Sequence, residues 1–289
     1  MSRARRGGSL AAAAVLIVAL ALAAGAGLGK RSAASDPVPA GRAAQGEHGD
    51  HGGAPKPTET DGRKRSAGGY TLVDRRTSFR SGRRGTLAFV IRDKRGAAVR
   101  RFDVEQDKRM HVVIVRRDFA AYQHVHPELA RSGAWSTPLA LSEPGPYRLF
   151  ADFTISGERY VLGADLEAVG PYRPRPFPAP AEATSVDGYD VAIAASGLSA
   201  RAASQIRLTI TKGGLAVTNL GRYLGAKGHL VVLRRRDMSY LHVHPSAAGT
   251  DPNVVEFAFD LPSAGAYAAF FQFRVGGRVR TAPFTFGAS

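Results

Sequence analysis

The sequence predicts an all-β protein: two tandem β-sandwich domains, immunoglobulin-like or cupredoxin-like, behind an N-terminal hydrophobic helix and a disordered linker. Three observations carry that expectation. The second half of the chain repeats the first. Each copy breaks into short runs rich in β-branched and aromatic residues, separated by turn residues. Beyond residue 30, no long stretch shows the 3.6-residue period of an amphipathic helix.

Residues 1–30 read as a signal peptide or signal anchor. Arg3, Arg5 and Arg6 precede a charge-free run from Leu10 to Leu28, and Lys30 and Arg31 follow it. Nineteen helical residues would span about 28 Å, close to the hydrocarbon thickness of a bilayer. Ala24-Gly25-Ala26 also offers a small-residue cleavage site, so an uncleaved single span and a secreted product both stay open. In either case the basic flank remains in the cytoplasm and the bulk of the chain lies outside it.

Residues 31–67 are dominated by Ala, Gly, Pro and charged residues, too poor in apolar surface to order themselves, and are expected to form a disordered tether. His48 and His51 within it could bind a divalent cation loosely or could simply belong to a polar linker. The first sandwich is expected over 68–170, with strands at Thr86–Arg92, Met110–Val115, Tyr122–His126, Gly145–Ile155 and Tyr160–Leu166. Residues 171–185 hold five prolines between Pro171 and Pro180 and predict a stiff extended linker. The second sandwich is expected over 186–289. Its strands fall at Tyr189–Ala194, Gln205–Thr211, Leu230–Leu233, Val254–Phe259, Ala266–Val275 and Val279–Phe286.

The repeat is clearest where His111 to Pro127 aligns without a gap on His229 to Pro245. It accounts for six of the eight histidines: His111, His124 and His126 in the first copy, His229, His242 and His244 in the second. Residues two apart in a strand share a face, so each His-x-His pair projects both rings the same way. A hairpin turn between Asp118 and Phe119 would set His111 opposite His126 and Val113 opposite His124. A turn between Arg236 and Asp237 would do the same for the second copy. The register predicts a three-histidine cluster in each repeat, provided the loop holds an even number of residues. Tyr122 and Tyr240 are read as aromatic core.

With no cysteine in the chain, disulfides and thiolate chemistry are excluded. Three neutral imidazoles suit zinc or copper, and all six repeat histidines are candidate metal ligands. The alternative is structural: Val113, Val115 and Tyr122 share the histidine face, so the rings could be a polar patch within a core. The net charge of +16 comes mostly from scattered arginines rather than one basic stripe, so nucleic acid is not an expected partner. Weak attraction to an anionic envelope polymer is. Asp118, Glu128 and Asp152 lie near the histidines in sequence, but no nucleophile motif, phosphate loop or carboxylate pair marks an enzyme. These features predict a non-enzymatic extracytoplasmic metal-binding protein or, alternatively, an envelope interaction module with structural histidines.

Three segments carry a resemblance. They are Leu241-His-Val-His-Pro245, the upstream Leu224-Gly-Ala-Lys-Gly-His229-Leu-Val231, and the closing Gly265-Ala-Tyr267 with Phe271-Gln-Phe273. Together they resemble a group of exported actinobacterial proteins similar to YtkA-like and heavy-metal-associated envelope proteins. That resemblance implies an immunoglobulin-like sandwich and a link to metals, chiefly copper. The first copy departs from the pattern with Gln106-Asp-Lys-Arg-Met110, which puts its site in more doubt than the second.

Overall fold

The computed structural model describes residues 60–246 and 251–289. The hydrophobic segment 1–30 and the histidines His48 and His51 lie outside the described residues.

The first domain contains β1 (Ser66–Ala67), β2 (Tyr70–Asp74), β3 (Ser78–Arg80), β4 (Gly85–Arg92), β5 (His111–Arg116), β6 (Tyr122–Val125), β7 (Glu128–Leu129), β8 (Ala134–Leu139), β9 (Gly145–Ile155) and β10 (Glu158–Val169). The second contains β11 (Ala183–Val186), β12 (Tyr189–Ser196), β13 (Ala203–Lys212), β14 (Leu215–Ala216), β15 (Gly228–Arg234), β16 (Tyr240–Leu241), β17 (Val243–Pro245), β18 (Val254–Asp260), β19 (Gly265–Val275) and β20 (Arg278–Ala288).

Each domain is a sandwich of two sheets. In the first, β1-β2-β4-β8-β7 faces β3-β10-β9-β5-β6; in the second, β11-β12-β13-β18-β17 faces β16-β15-β19-β20. Two details choose the immunoglobulin-like form over the cupredoxin-like one. The short β3 pairs parallel with the last strand β10, Phe79 opposite Ala168, while the remaining ladders are antiparallel. Each domain also carries a tyrosine corner at the start of its long penultimate strand: Tyr147 Oη donates to Glu143 O at 2.8 Å, and Tyr267 Oη to Ser263 O at 2.6 Å. The cores are aromatic, with Trp135, Phe102 and Phe153 in the first domain and Phe257, Phe271 and Phe273 in the second.

The edges of the domains differ from the sequence reading. Residues 60–67, expected to be part of a disordered tether, form an ordered strap. Tyr240 N donates to Asp61 O at 2.8 Å, Gly62 N to Val161 O at 3.1 Å and Gly163 N to Lys64 O at 2.8 Å. Gly163 must be glycine, because a Cβ there would sit 1.8 Å from the Gly62 carbonyl oxygen. The proline-rich stretch has no regular secondary structure, but it is docked rather than free-standing. Arg175 N donates to Asp118 Oδ2 at 2.8 Å, Phe177 meets Phe119 edge-on at 5.3 Å, and Thr285 Oγ1 donates to Ala179 O at 2.8 Å. Strand β11 begins at Ala183, inside the range expected to be linker.

Candidate metal centre at the domain interface

Strands β5 and β15 are buried on both faces. Val112 and Ile114 point into the first sandwich, as Leu230 and Val232 do into the second. The alternate residues Val113, Val115, Val231 and Leu233 meet those of the other domain in a separate buried cluster with Phe119, Phe150, Val161, Met238, Tyr240, Ala268 and Phe270. The two histidine-bearing sheets therefore pack on each other. The packing repeats with the copies exchanged: Tyr122 stacks on Phe270 at 4.2 Å, and its counterpart Tyr240 lies against Phe150 at 5.5 Å.

The first hairpin has the register the spacing implies, with Val113 opposite His124 and Val115 opposite Tyr122. His111, His124 and His126 come together, with ring centroids 4.6 to 5.3 Å apart. His229 of the second domain joins them, stacked on His111 at 5.8 Å and 4.7 Å from His124. One nitrogen from each of His111, His124 and His229 lies within 4.8 Å of the others.

The protonation pattern follows from the neighbours. His111 Nε2 lies 3.0 Å from the Glu105 carbonyl oxygen, which can only accept, so Nε2 carries the proton and Nδ1 is a bare lone pair. His124 Nδ1 donates to Gln272 Oε1 at 2.7 Å, leaving Nε2 bare. These two bare nitrogens face each other at 3.2 Å. Close by, His229 Nδ1 and His126 Nε2 are buried without a hydrogen-bond partner. Four imidazoles thus present nitrogens without a protein partner, an arrangement that carries a desolvation penalty unless a water molecule or a cation fills it.

Burial, followed by the neighbouring imidazoles, pushes His124 down to about 3 and His126 down to about 2. Burial also lowers His111 and holds His229 well below the usual histidine range. The rings are therefore neutral at physiological pH, the state a metal ligand requires.

The second copy does not assemble the cluster of His229, His242 and His244 that its sequence predicts. Its hairpin starts in the expected register, Leu233 opposite Tyr240 and Val232 opposite Leu241, but pairing ends there. Val243 already pairs with Phe259 in the opposite sheet. His242 and His244 are left exposed, their rings edge-on at 4.0 Å. His242 rests instead against Arg159, which is ion-paired with the buried Asp152.

The first copy's loop departs from the second in sequence but not in local shape. Gln106 and Asp107 adopt the same left-handed turn as Leu224 and Gly225, and that turn presents the Glu105 carbonyl to His111. Of the nearby carboxylates, Asp118 and Asp152 are bound to Arg116 and Arg159. The sequence reading missed Glu105, Gln272 and Arg159. Gln272 had a legible signal, as a polar residue within the apolar run Phe271-Gln-Phe273.

A family model for a domain of unknown function, DUF8832, matches residues 65–170 and 184–289. The chain belongs to the DUF8832 family. No curated protein matches it. Solved structures similar to all or part of the DUF8832 pair include three bacterial proteins. One is a DUF4426 family protein from Pseudomonas aeruginosa (10% identity, 37% of this chain and 96% of that one, TM-score 0.29). Another is the Escherichia coli adhesin FdeC (13% identity, 80% and 65%, TM-score 0.27). The third is the Yersinia pseudotuberculosis adhesin InvE (13% identity, 75% and 58%, TM-score 0.26). The chain thus spans less than two thirds of either adhesin structure. With TM-scores below 0.3, these likenesses bear on neither the activity nor the partners of the DUF8832 pair.

Proposed function

We propose that this is an exported, non-enzymatic binding protein of the cell envelope whose two domains together hold one transition-metal ion, copper or zinc, at their interface. One observation carries the reading: one ring nitrogen from each of His111, His124 and His229, drawn from both copies, lies within 4.8 Å of the others. Glu105 and Gln272 orient two of the three rings through their other nitrogens. His126 stands beside them as a further nitrogen donor. An all-imidazole set suits Zn(II) or Cu(II), and the charge-free segment from Leu10 to Leu28 supports export.

A second reading has its own support. The same histidines line a face otherwise made of Val113, Val115, Val231 and Leu233, as a purely structural interface would. The module would then hold an envelope protein or an anionic polymer. Calorimetric titration of the protein with Cu(II) and Zn(II), beside the His111→Ala/His124→Ala variant, separates the two. Micromolar or tighter uptake of about one ion per chain, lost in a variant that remains folded, supports the metal reading. Equal, negligible uptake by both proteins sinks it and leaves the structural one.

A further inference from the structure

The interface has two corresponding corners. Strands β9 and β10 turn with Ile155 opposite Glu158, and β19 and β20 turn with Val275 opposite Arg278. Asp152 therefore corresponds to Gln272, and Arg159 to Val279. His124 and His242 correspond through the hairpin alignment. At the first corner His124 meets Gln272, and the position of the arginine is taken by Val279, which is 42% exposed and brings no charge.

At the second corner, Asp152 has a side chain only 5% exposed and receives Arg159 Nε on Oδ1 at 2.7 Å and Nη2 on its other oxygen. Arg159 Nη1 lies against the His242 ring, in contact with Nδ1 and 3.2 Å from Nε2. His244 stands beside His242. A carboxylate with two imidazoles is a donor set for zinc. Here the cation among those groups is a guanidinium, which does not deprotonate in proteins.

We infer that the interface has two cation positions and that Arg159 is the resident cation of the second, closing to metal ions a place that Asp152 and His242 would otherwise offer to zinc. The inference depends on the proposed metal site only for what fills the first position. It explains why two copies of one histidine pattern would serve a single ion: the chain plugs the other place itself.

The test is zinc titration of the full chain, wild type against Arg159→Gln, with circular dichroism recorded in parallel. The expected result is one equivalent in wild type and two in Arg159→Gln, the added one removed by His242→Ala in the same background. If removing the arginine unfolds the metal-free chain, one further equivalent of zinc is expected to restore the fold. A folded variant that takes up no more zinc than wild type overturns the inference, as does an unfolded one that zinc does not rescue. One equivalent in both proteins removes the plug and keeps the proposed site. None in wild type and one in the variant removes the proposed site and keeps the plug.

Discussion

In the first domain β6 stays hydrogen-bonded to β5 as far as Val125, and the chain crosses to the other sheet only after Pro127, at β7. In the second, β16 leaves β15 after Leu241, and Val243 is already on the other sheet. His124 and His126 are thereby kept on the face that meets the neighbouring domain, while His242 and His244 are carried out to solvent. Two segments with the same histidine spacing and the same hairpin register thus take different roles. The lesson is that spacing sets which rings share a face, while strand crossing sets how far that face extends.

The largest effect that would sharpen this contrast is acid sensitivity of the metal-free protein. In the folded state His124 and His126 hold pKa values of about 3 and 2, whereas an unfolded histidine titrates near 6.5. Below about 6.5 the unfolded chain takes up protons that the folded one refuses. Stability is therefore full above that pH and drains as pH falls toward 3, by up to about 1.4 kcal/mol per pH unit for each such histidine. Denaturant melts in chelator at pH 7.5, 5.5 and 4.5 would measure the slope. His126→Gln should flatten it, and an unchanged slope would contradict the buried neutral ring.

Next in size is the interface that both copies build. Phe150→Ala and Phe270→Ala should each cost about 3 to 5 kcal/mol in chemical unfolding. A cost below about 1 kcal/mol at both sites would mean that the domains are not held by this face.

Loss of His111 or His229 should weaken Zn(II) or Cu(II) binding at least about 100-fold, near 2.7 kcal/mol. The His229 result is the more telling, because a site confined to one copy would be indifferent to it. Gln272→Ala, which frees His124 Nδ1, should weaken binding by about tenfold, the usual scale for a group that orients a ligand. Smallest is His242→Ala/His244→Ala, expected to change wild-type metal affinity by less than about twofold. A larger loss there would restore the symmetrical reading with one cluster in each copy.

Much of the fold was legible in the sequence. The endpoints of β9 match the run Gly145 to Ile155 and β5 lies within one residue of the run Met110 to Val115, because β-branching is a local property. The short strands β1, β3, β7 and β16 were not legible, since two or three residues carry no period. Of the site, the shared register that brings His111 near His124 and His126 was available by counting loop residues. The roles of Glu105 and Gln272 were not, because each reaches its histidine from a segment whose position is set by the fold rather than by the motif.

By itself the sequence determined the repeat, most of the longer strands, the shared face of His111, His124 and His126, and a donor set without thiolate, by the absence of cysteine. Those features depend on neighbours in the chain and on two-residue periodicity. The tertiary structure alone decided that the outer faces of the two sandwiches meet, that His229 crosses over to complete the first copy's cluster, and that Arg159 rather than Val279 stands among the polar groups of the interface. Packing between distant surfaces, and the point at which a strand changes sheets, arise from long-range contacts that no local pattern encodes.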